Sequence, residues 1–518
     1  MRKKRDRSRV VLVIGWVAAA VANGAGSASV GAEEPDASMR DSVLLAETAD
    51  DLFLDLPTEE ESPAEDVEAA GMPDMEEHSA DAPGSADELF QSDVPEIAAD
   101  AAPETPTVAD RPAVRFSGFV QNELAYTYAD PDHFSKFRTL ARLRLNGTLS
   151  ARVKWQASGT FFYDPVFELE DDFYPDRVED DQKLDGWIDE TFLDIDADDW
   201  EFRIGRQHII WGEMVGLFFA DVVSALDLRQ FVLPDFDLIR IPQWAARAEY
   251  FKGDFHAEFI YLPVVTKDNV GEFGGDYRPN PFVLPAGVNG VFLQDEMLND
   301  AGEDYGAGSR LSYLHDGWDL SAFYYTSPDK TASYRRDLSF AGLVPTVVFK
   351  PEHERIHQLG GTLAKDFGQF VLKSEAVQTF DRRLSVTSIA DPDGLAETDE
   401  LRYVVGIDWA GEQGHNVNVQ FFQTWFQDQR DDMGVKELET GASVYLTTSA
   451  IHPDIEPEIL WIRSLDRNDW LLEMKVTWEF AQNWRGVLGA DIFEGRRNRL
   501  FGQFDDTDRV YYELRYSF

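Results

Sequence analysis

The last ten residues set the rhythm of the chain. In Arg509-Val510-Tyr511-Tyr512-Glu513-Leu514-Arg515-Tyr516-Ser517-Phe518, the residues Val510, Tyr512, Leu514, Tyr516 and Phe518 fall on one face, and Arg509, Glu513, Arg515 and Ser517 on the other. A period of two places one face in apolar surroundings and the other in water. The dyad recurs upstream. Ala141, Leu143, Leu145 and Leu149 alternate with Arg142, Arg144, Asn146 and Thr148, and Val153, Trp155, Ala157 and Phe161 alternate with Lys154, Gln156, Ser158 and Thr160. From Arg115 onward the pattern predicts antiparallel strands in pairs, about 16 in all within a range of 14 to 18, because the connection 428–467 has room for two more.

The connections between these strands are asymmetric. Very short turns fall near Ser150-Ala151, Ala197 to Asp199, Lys252 to Asp254, Asp316-Gly317, Asp366 to Gly368, Gly411 to Gly414 and Gln482-Asn483. Stretches around 164–186, 212–242, 265–306, 328–352, 383–399, 428–467 and 494–507 are long and rich in Asp, Glu, Gly and Pro. Short turns at one edge and long loops at the other predict an all-β fold, a transmembrane antiparallel β-barrel with both termini periplasmic. Aromatic residues near the strand ends, among them Tyr126, Tyr128, Trp244, Trp318, Trp409, Trp425, Trp470, Trp478 and Trp484, fit interfacial girdles. The terminal aromatic strand also resembles the recognition signal of bacterial outer-membrane barrels. That resemblance assigns Tyr516 and Phe518 to the barrel-assembly machinery.

The other end of the chain agrees with export. Arg2, Lys3, Lys4, Arg5, Arg7 and Arg9 precede an apolar run from Val10 to Ala22, and small residues follow to Ala32. Residues 1–32 read as a secretory signal peptide, too short in its apolar part to span a bilayer as a helix. Residues 33–112 carry 25 acidic and two basic residues, Arg40 and Arg111, on a background of Ala, Pro, Ser and Gly. Such a segment buries too little apolar surface to offset its ordering entropy, so a disordered acidic periplasmic segment is expected there, followed by the barrel over 113–518. Within it Leu52-Phe53 and Leu89-Phe90 stand in similar acidic settings and read either as docking motifs for a periplasmic protein or as chance repetition in a tether. The net charge of −49 argues against a nucleic-acid partner, and the absence of cysteine excludes disulfides, thiolate metal sites and a lipidated N-terminus.

Strand alternation turns Arg142, Arg144, Lys154, Arg203, Arg247, Lys373, Arg402, Lys475, Arg485 and Arg515 inward, facing Glu123, Glu190, Asp194, Glu201, Glu249, Glu375, Asp408, Glu473, Asp491 and Glu513. Charges at mid-bilayer depth need a wet lumen, since Arg or Lys facing lipid there costs roughly 2 to 4 kcal/mol. The set reads equally as a charged passage and as a ladder of structural ion pairs.

The most distinctive stretch is Arg203-Ile204-Gly205-Arg206-Gln207-His208-Ile209-Ile210-Trp211-Gly212-Glu213, continuing through Asp221, Asp227-Leu228-Arg229, Asp235, Asp237 and Arg240-Ile241-Pro242. Its Gly-Arg-Gln, Trp-Gly, Asp-Leu-Arg and Arg-x-Pro sequence resembles a large uncharacterised family of outer-membrane barrels. That family is similar in pattern to porins and alginate-export-like channels. The resemblance implies transport, with an export pump as a possible partner, and leaves the substrate open. The segment 212–242 is too apolar for an exposed loop and is expected to fold inward. Gln207, Asp221, Asp227, Arg229, Asp235, Asp237 and Arg240 would then project into the narrowest part of the lumen. A constriction, a plug and an apolar path are the three forms such a loop can take.

No catalytic constellation, cofactor motif or metal-ligand spacing stands out. His353 and His357 with Glu352 and Glu354 form a weak rim-site candidate, and the acidic stretch 168–181 a weak cation bridge to lipopolysaccharide. Three functions follow: a channel passing or exporting a small polar or amphipathic solute, a plugged barrel anchoring the acidic tether, and a rim-site hydrolase.

Overall fold

The computed structural model describes residues 114–170, 172–216, 219–279, 288–339, 345–388 and 391–518. The signal-peptide and acidic-segment readings, with Leu52, Phe53, Leu89 and Phe90, lie outside the described residues, as do Leu217 and Phe218 of the inward loop.

Eighteen strands form the barrel. They are β1 Arg115–Thr127, β2 Thr139–Ser150, β3 Val153–Tyr163, β4 Leu184–Ala197, β5 Trp200–Gln207, β6 Gln243–Lys252, β7 Phe255–Leu262, β8 Gly306–His315 and β9 Trp318–Pro328. The second half comprises β10 Arg355–Asp366, β11 Phe370–Ser385, β12 Leu395–Ala410, β13 His415–Phe426, β14 Leu438–Thr448, β15 Ile455–Ser464, β16 Asp469–Ala481, β17 Trp484–Glu494 and β18 Arg509–Ser517. Each pairs antiparallel with its sequence neighbour, and β18 pairs with β1 from Phe119↔Ser517 to Thr127↔Arg509. Gly118 and Phe518 exchange backbone N–H···O bonds of 2.9 Å in both directions, so the last residue completes the seam. Closure removes the unpaired edge that an open sheet would present to lipid.

The strand number corrects the expected 16 to 18. The two additional strands, β14 and β15, lie within the connection 428–467. The alternation is hidden in β15 because Ile459, Leu460, Trp461 and Ile462 form an unbroken apolar run. Ile462 is buried and Leu460 packs with it against the inward loop, so the lumenal face is apolar here too. The link from β15 to β16, residues 465–468, is also short although it lies at the long-loop end.

Exposure separates the faces. Val120, Leu143, Leu193, Ile204, Val405, Val419, Leu488 and Leu514 are exposed apolar residues of the outer surface, whereas Gln121, Glu123, Arg142, Gln243, Glu258, Glu375, Glu400, Gln420 and Arg515 are buried on the inside. At the long-loop end, short helices Val166–Leu169 and Asp176–Gln182, a strand His133–Lys136 laid on β1, and a small sheet of Asn289–Phe292, Ser333–Ser339 and Thr346–Glu352 cover the barrel.

Candidate functional site: the loop that enters the barrel

β5 ends at Gln207, whose side chain is buried and donates to Ala245 O on β6 at 3.1 Å. The chain then leaves the wall. Trp211 crosses to β7–β9, where its indole Nε1 donates to Glu258 Oε2 at 2.9 Å and its ring meets Phe323 and Tyr325 at 5.1 and 6.1 Å. Glycine provides the recess: a Cβ on Gly308 would stand 3.0 Å from Trp211 Cη2 and 2.9 Å from the Tyr325 ring.

The next turn wraps around a carboxylate of β11. Glu375 accepts N–H bonds from Glu213, from Met214 at 3.1 Å and from Ala220 at 2.9 Å. Gln420 of β13 donates to Val215 O at 2.8 Å, and Phe219 packs on Phe422 with centroids 5.6 Å apart. The returning limb is held from within. Asp221 pairs with Arg240 at 2.8 Å, Ser224 Oγ donates to Ile209 O at 3.0 Å, and Lys330 Nζ donates to Ser224 O.

Farther on, Arg229 is buried and paired with Asp227 at 2.6 Å and Asp185 at 3.2 Å. Burial disfavours its charge, but these carboxylates prevail and hold its pKa above the ordinary value. Asp235 reaches three neighbouring strands, lying 3.3 Å from Lys475, 3.6 Å from Arg485 and 4.0 Å from Arg515. Arg485 and Arg515 are directly opposed in the β17–β18 register, a like-charge pairing that destabilises a sheet unless an anion bridges it. Asp237 is half exposed and 3.7 Å from Arg142, which also binds Asp189 at 2.8 Å.

Most charges among the described residues of 212–242 are therefore committed to ion pairs. Of the wall residues expected inside, Arg203 pairs with Asp194 at 2.6 Å and Arg247 with Glu249 and Glu258, both at 2.7 Å. Arg515 donates to Gln121 and lies over the Phe119 ring at 4.3 Å. Arg144 makes no ion pair among the described residues. Sequence reasoning placed Glu375 in the lumen without anticipating its role, and passed over Glu258. Both are carboxylates on lumenal positions whose partners come from the loop, so strand spacing carried no sign of them.

The rim candidates are occupied by structural contacts. His353 contacts Asp295 Oδ1 at 3.1 Å and Asp329 O at 2.7 Å, while His357 contacts the Tyr324 hydroxyl at 2.8 Å. Glu352 and Glu354 pair with Arg335 and Arg383. In the acidic stretch, Glu168 pairs with Lys183 at 3.1 Å.

OccAB4 of Acinetobacter baumannii is similar at 10% identity, with 78% of this chain and 98% of that chain covered and a TM-score of 0.47. OccK8 (OprE) of Pseudomonas aeruginosa is similar at 11% identity over 78% and 97%, with a TM-score of 0.47. The loop L8 deletion mutant of OmpT, an outer membrane protein of Vibrio cholerae, is similar at 12% identity over 79% and 100%, with a TM-score of 0.39. These likenesses concern the fold alone. No curated protein matches the sequence. The family model DUF1302, described as a protein of unknown function, matches residues 120–518, and the chain belongs to that family.

Proposed function

We propose that the protein is an outer-membrane channel that passes or exports a small polar or amphipathic solute, with the loop 212–242 narrowing its lumen and the acidic N-terminal segment on the periplasmic side. The observation that carries this reading is the attachment of the loop to opposite walls, at Glu258 and Glu375 on one side and at Lys475, Arg485 and Arg515 on the other. A segment held at both sides of a wet lumen restricts what passes without needing to fill it. Polar residues Arg115, Asn146, Lys154, Gln156, Asp194 and Arg203 line an open vestibule at the short-turn mouth. In this reading Arg142, Arg144, Arg203, Arg247 and Arg515 set the electrostatics of the passage, while Asp221, Asp227, Arg229, Asp235, Asp237 and Arg240 shape the loop.

Conductance of the refolded barrel in planar bilayers tests it. Discrete ion-conducting steps that grow when residues 212–240 are replaced by a short linker are expected. A barrel that stays electrically silent after that deletion overturns the channel reading in favour of a plugged anchor.

A further inference from the structure

Toward the short-turn end of the lumen, five cations share one stretch of wall: Lys475 on β16, Arg485 on β17, Arg515 on β18, and Arg142 and Arg144 on β2. The loop segment 234–238 runs beside them and offers Asp235 and Asp237. We propose that this wall binds a small dicarboxylate, whose two acid groups take the places of Asp235 and Asp237 and release the segment 234–238. The proposal rests on the channel reading and names the class of solute that passes.

The uneven grip of the loop supplies the first argument. Where it is fixed the contacts are short, as between Trp211 and Glu258 at 2.9 Å, Ala220 and Glu375 at 2.9 Å, and Arg240 and Asp221 at 2.8 Å. Against the cationic wall they are long: Asp235 lies 3.3 Å from Lys475, 3.6 Å from Arg485 and 4.0 Å from Arg515, and Asp237 lies 3.7 Å from Arg142. The two aspartate side chains stay 34% and 53% exposed, and ion pairs open to water in this way hold weakly. Both ends of the segment are secured independently. Phe231, Val232 and Leu233 pack on the cluster around Phe493 and Phe504, and buried Ile239 precedes the pairing of Arg240 and Ile241 with Leu226 and Ala225. Residues 234–238 can therefore leave the wall while the rest of the loop stays in place.

Charge supplies the second. Glu458 meets Lys475 at 3.4 Å, Asp189 meets Arg142 at 2.8 Å, and Glu513 accepts from Gln121 at 3.2 Å. Among the described residues Arg515 has no carboxylate other than Asp235 within ion-pair distance, and Arg144 has none. The wall's own carboxylates thus leave Arg144 and Arg515 to an anion from the lumen.

Geometry and access supply the third. Arg142 and Arg515 both pack on the Phe119 ring, at 5.6 and 4.3 Å, which keeps two guanidinium groups side by side. Each guanidinium fork matches a carboxylate, so the pair suits two acid groups on one short carbon chain. Arg144 stands opposite Ser158, two residues from Gln156, and Gln156 with Asn146 lines the open vestibule of about 790 Å³. That space admits a small solute, and Arg144 and Lys475 are partly exposed to it from the lumen side.

Glutarate at constant ionic strength is the probe, compared with acetate and glutaramide by calorimetry on the refolded full chain. Saturable glutarate binding, tighter than that of either control, is expected, with amide hydrogen exchange at 235–238 rising on binding while Met214 and Ala220 stay protected. Asp235→Asn combined with Asp237→Asn removes the competing carboxylates and should tighten glutarate about tenfold, whereas Arg144→Gln, which breaks no ion pair, should weaken it about tenfold. Absent or non-saturable glutarate binding, equal binding of a control, or exchange at 235–238 that does not rise overturns the proposal. So does a glutarate affinity that fails to rise in the double variant or is untouched by Arg144→Gln. Conductance of the same preparation separates the two readings: a conducting barrel without glutarate binding sinks the dicarboxylate site alone, and a silent barrel that binds glutarate supports the site and sinks the channel.

Discussion

The indole N–H of Trp211 donates to Glu258 Oε2 at 2.9 Å, and the other carboxylate oxygen of Glu258 lies 2.7 Å from Arg247 Nε. One buried carboxylate thus ties the start of the inward loop to the wall. Trp211 is 1% exposed against Phe323 and Tyr325. Truncating a buried aromatic of this kind costs about 3–5 kcal/mol. Trp211→Ala should therefore release the loop, seen as larger and noisier single-channel conductance and faster proteolysis within 212–242. Trp211→Phe should fall between, since it keeps the ring and loses the N–H. Conductance unchanged in Trp211→Ala would place the anchor elsewhere.

Glu375 holds the tip of the loop through three backbone N–H groups. A hydrogen bond of this kind is worth about 0.5–1.5 kcal/mol, and Glu375→Gln keeps the shape while replacing one accepting oxygen with an amide nitrogen that cannot accept. The expected result is faster amide hydrogen exchange at Glu213, Met214 and Ala220, with protection of β11 itself unaltered. Equal exchange in the variant would mean that packing of Phe219 on Phe422 alone fixes the tip.

Asp235 is the anion between Lys475, Arg485 and Arg515. Asp235→Asn leaves two opposed arginines of β17 and β18 without their bridge. Reversal potentials in a salt gradient should shift toward anion preference, and the shift should shrink at high salt, where exposed charges are screened. A shift toward cations would contradict the placement of these residues along the passage.

Three long connections meet at Asp276, which contacts His133 Nε2 at 3.2 Å and accepts from the Tyr174 hydroxyl at 2.9 Å. Burial works against the imidazolium of His133, but its bond to Asp276 and its contact with the Pro131 carbonyl outweigh it and raise its pKa above the ordinary value. A raised folded-state pKa gives stability that is fully present below the unfolded value and is lost as pH rises through the folded one. Protection of residues 133–136 from hydrogen exchange should fall as pH rises through that range. His133→Phe keeps the ring stacked on Phe173, now 4.1 Å away, and should abolish the pH dependence.

The division between what the chain announces locally and what only assembly decides runs through single residues. Alternation alone determined most of the strands and their faces, because side chains on a strand must point alternately to lipid and to water, and the structure added β14, β15 and the seam of β18 with β1 around Phe119. Composition determined that Leu226, Leu228 and Phe231 cannot sit in an exposed loop, and hence that 212–242 turns inward. The same rule hid β15, where Leu460 and Ile462 face the lumen and yet are apolar because the loop packs on them. The partners of Trp211, Glu375 and Asp235 were decided by the tertiary structure. Ala220 and Glu375 lie 155 residues apart, as Asp235 and Lys475 lie 240 apart. Such contacts exist only once the barrel has closed and its opposite walls lie within reach of one loop.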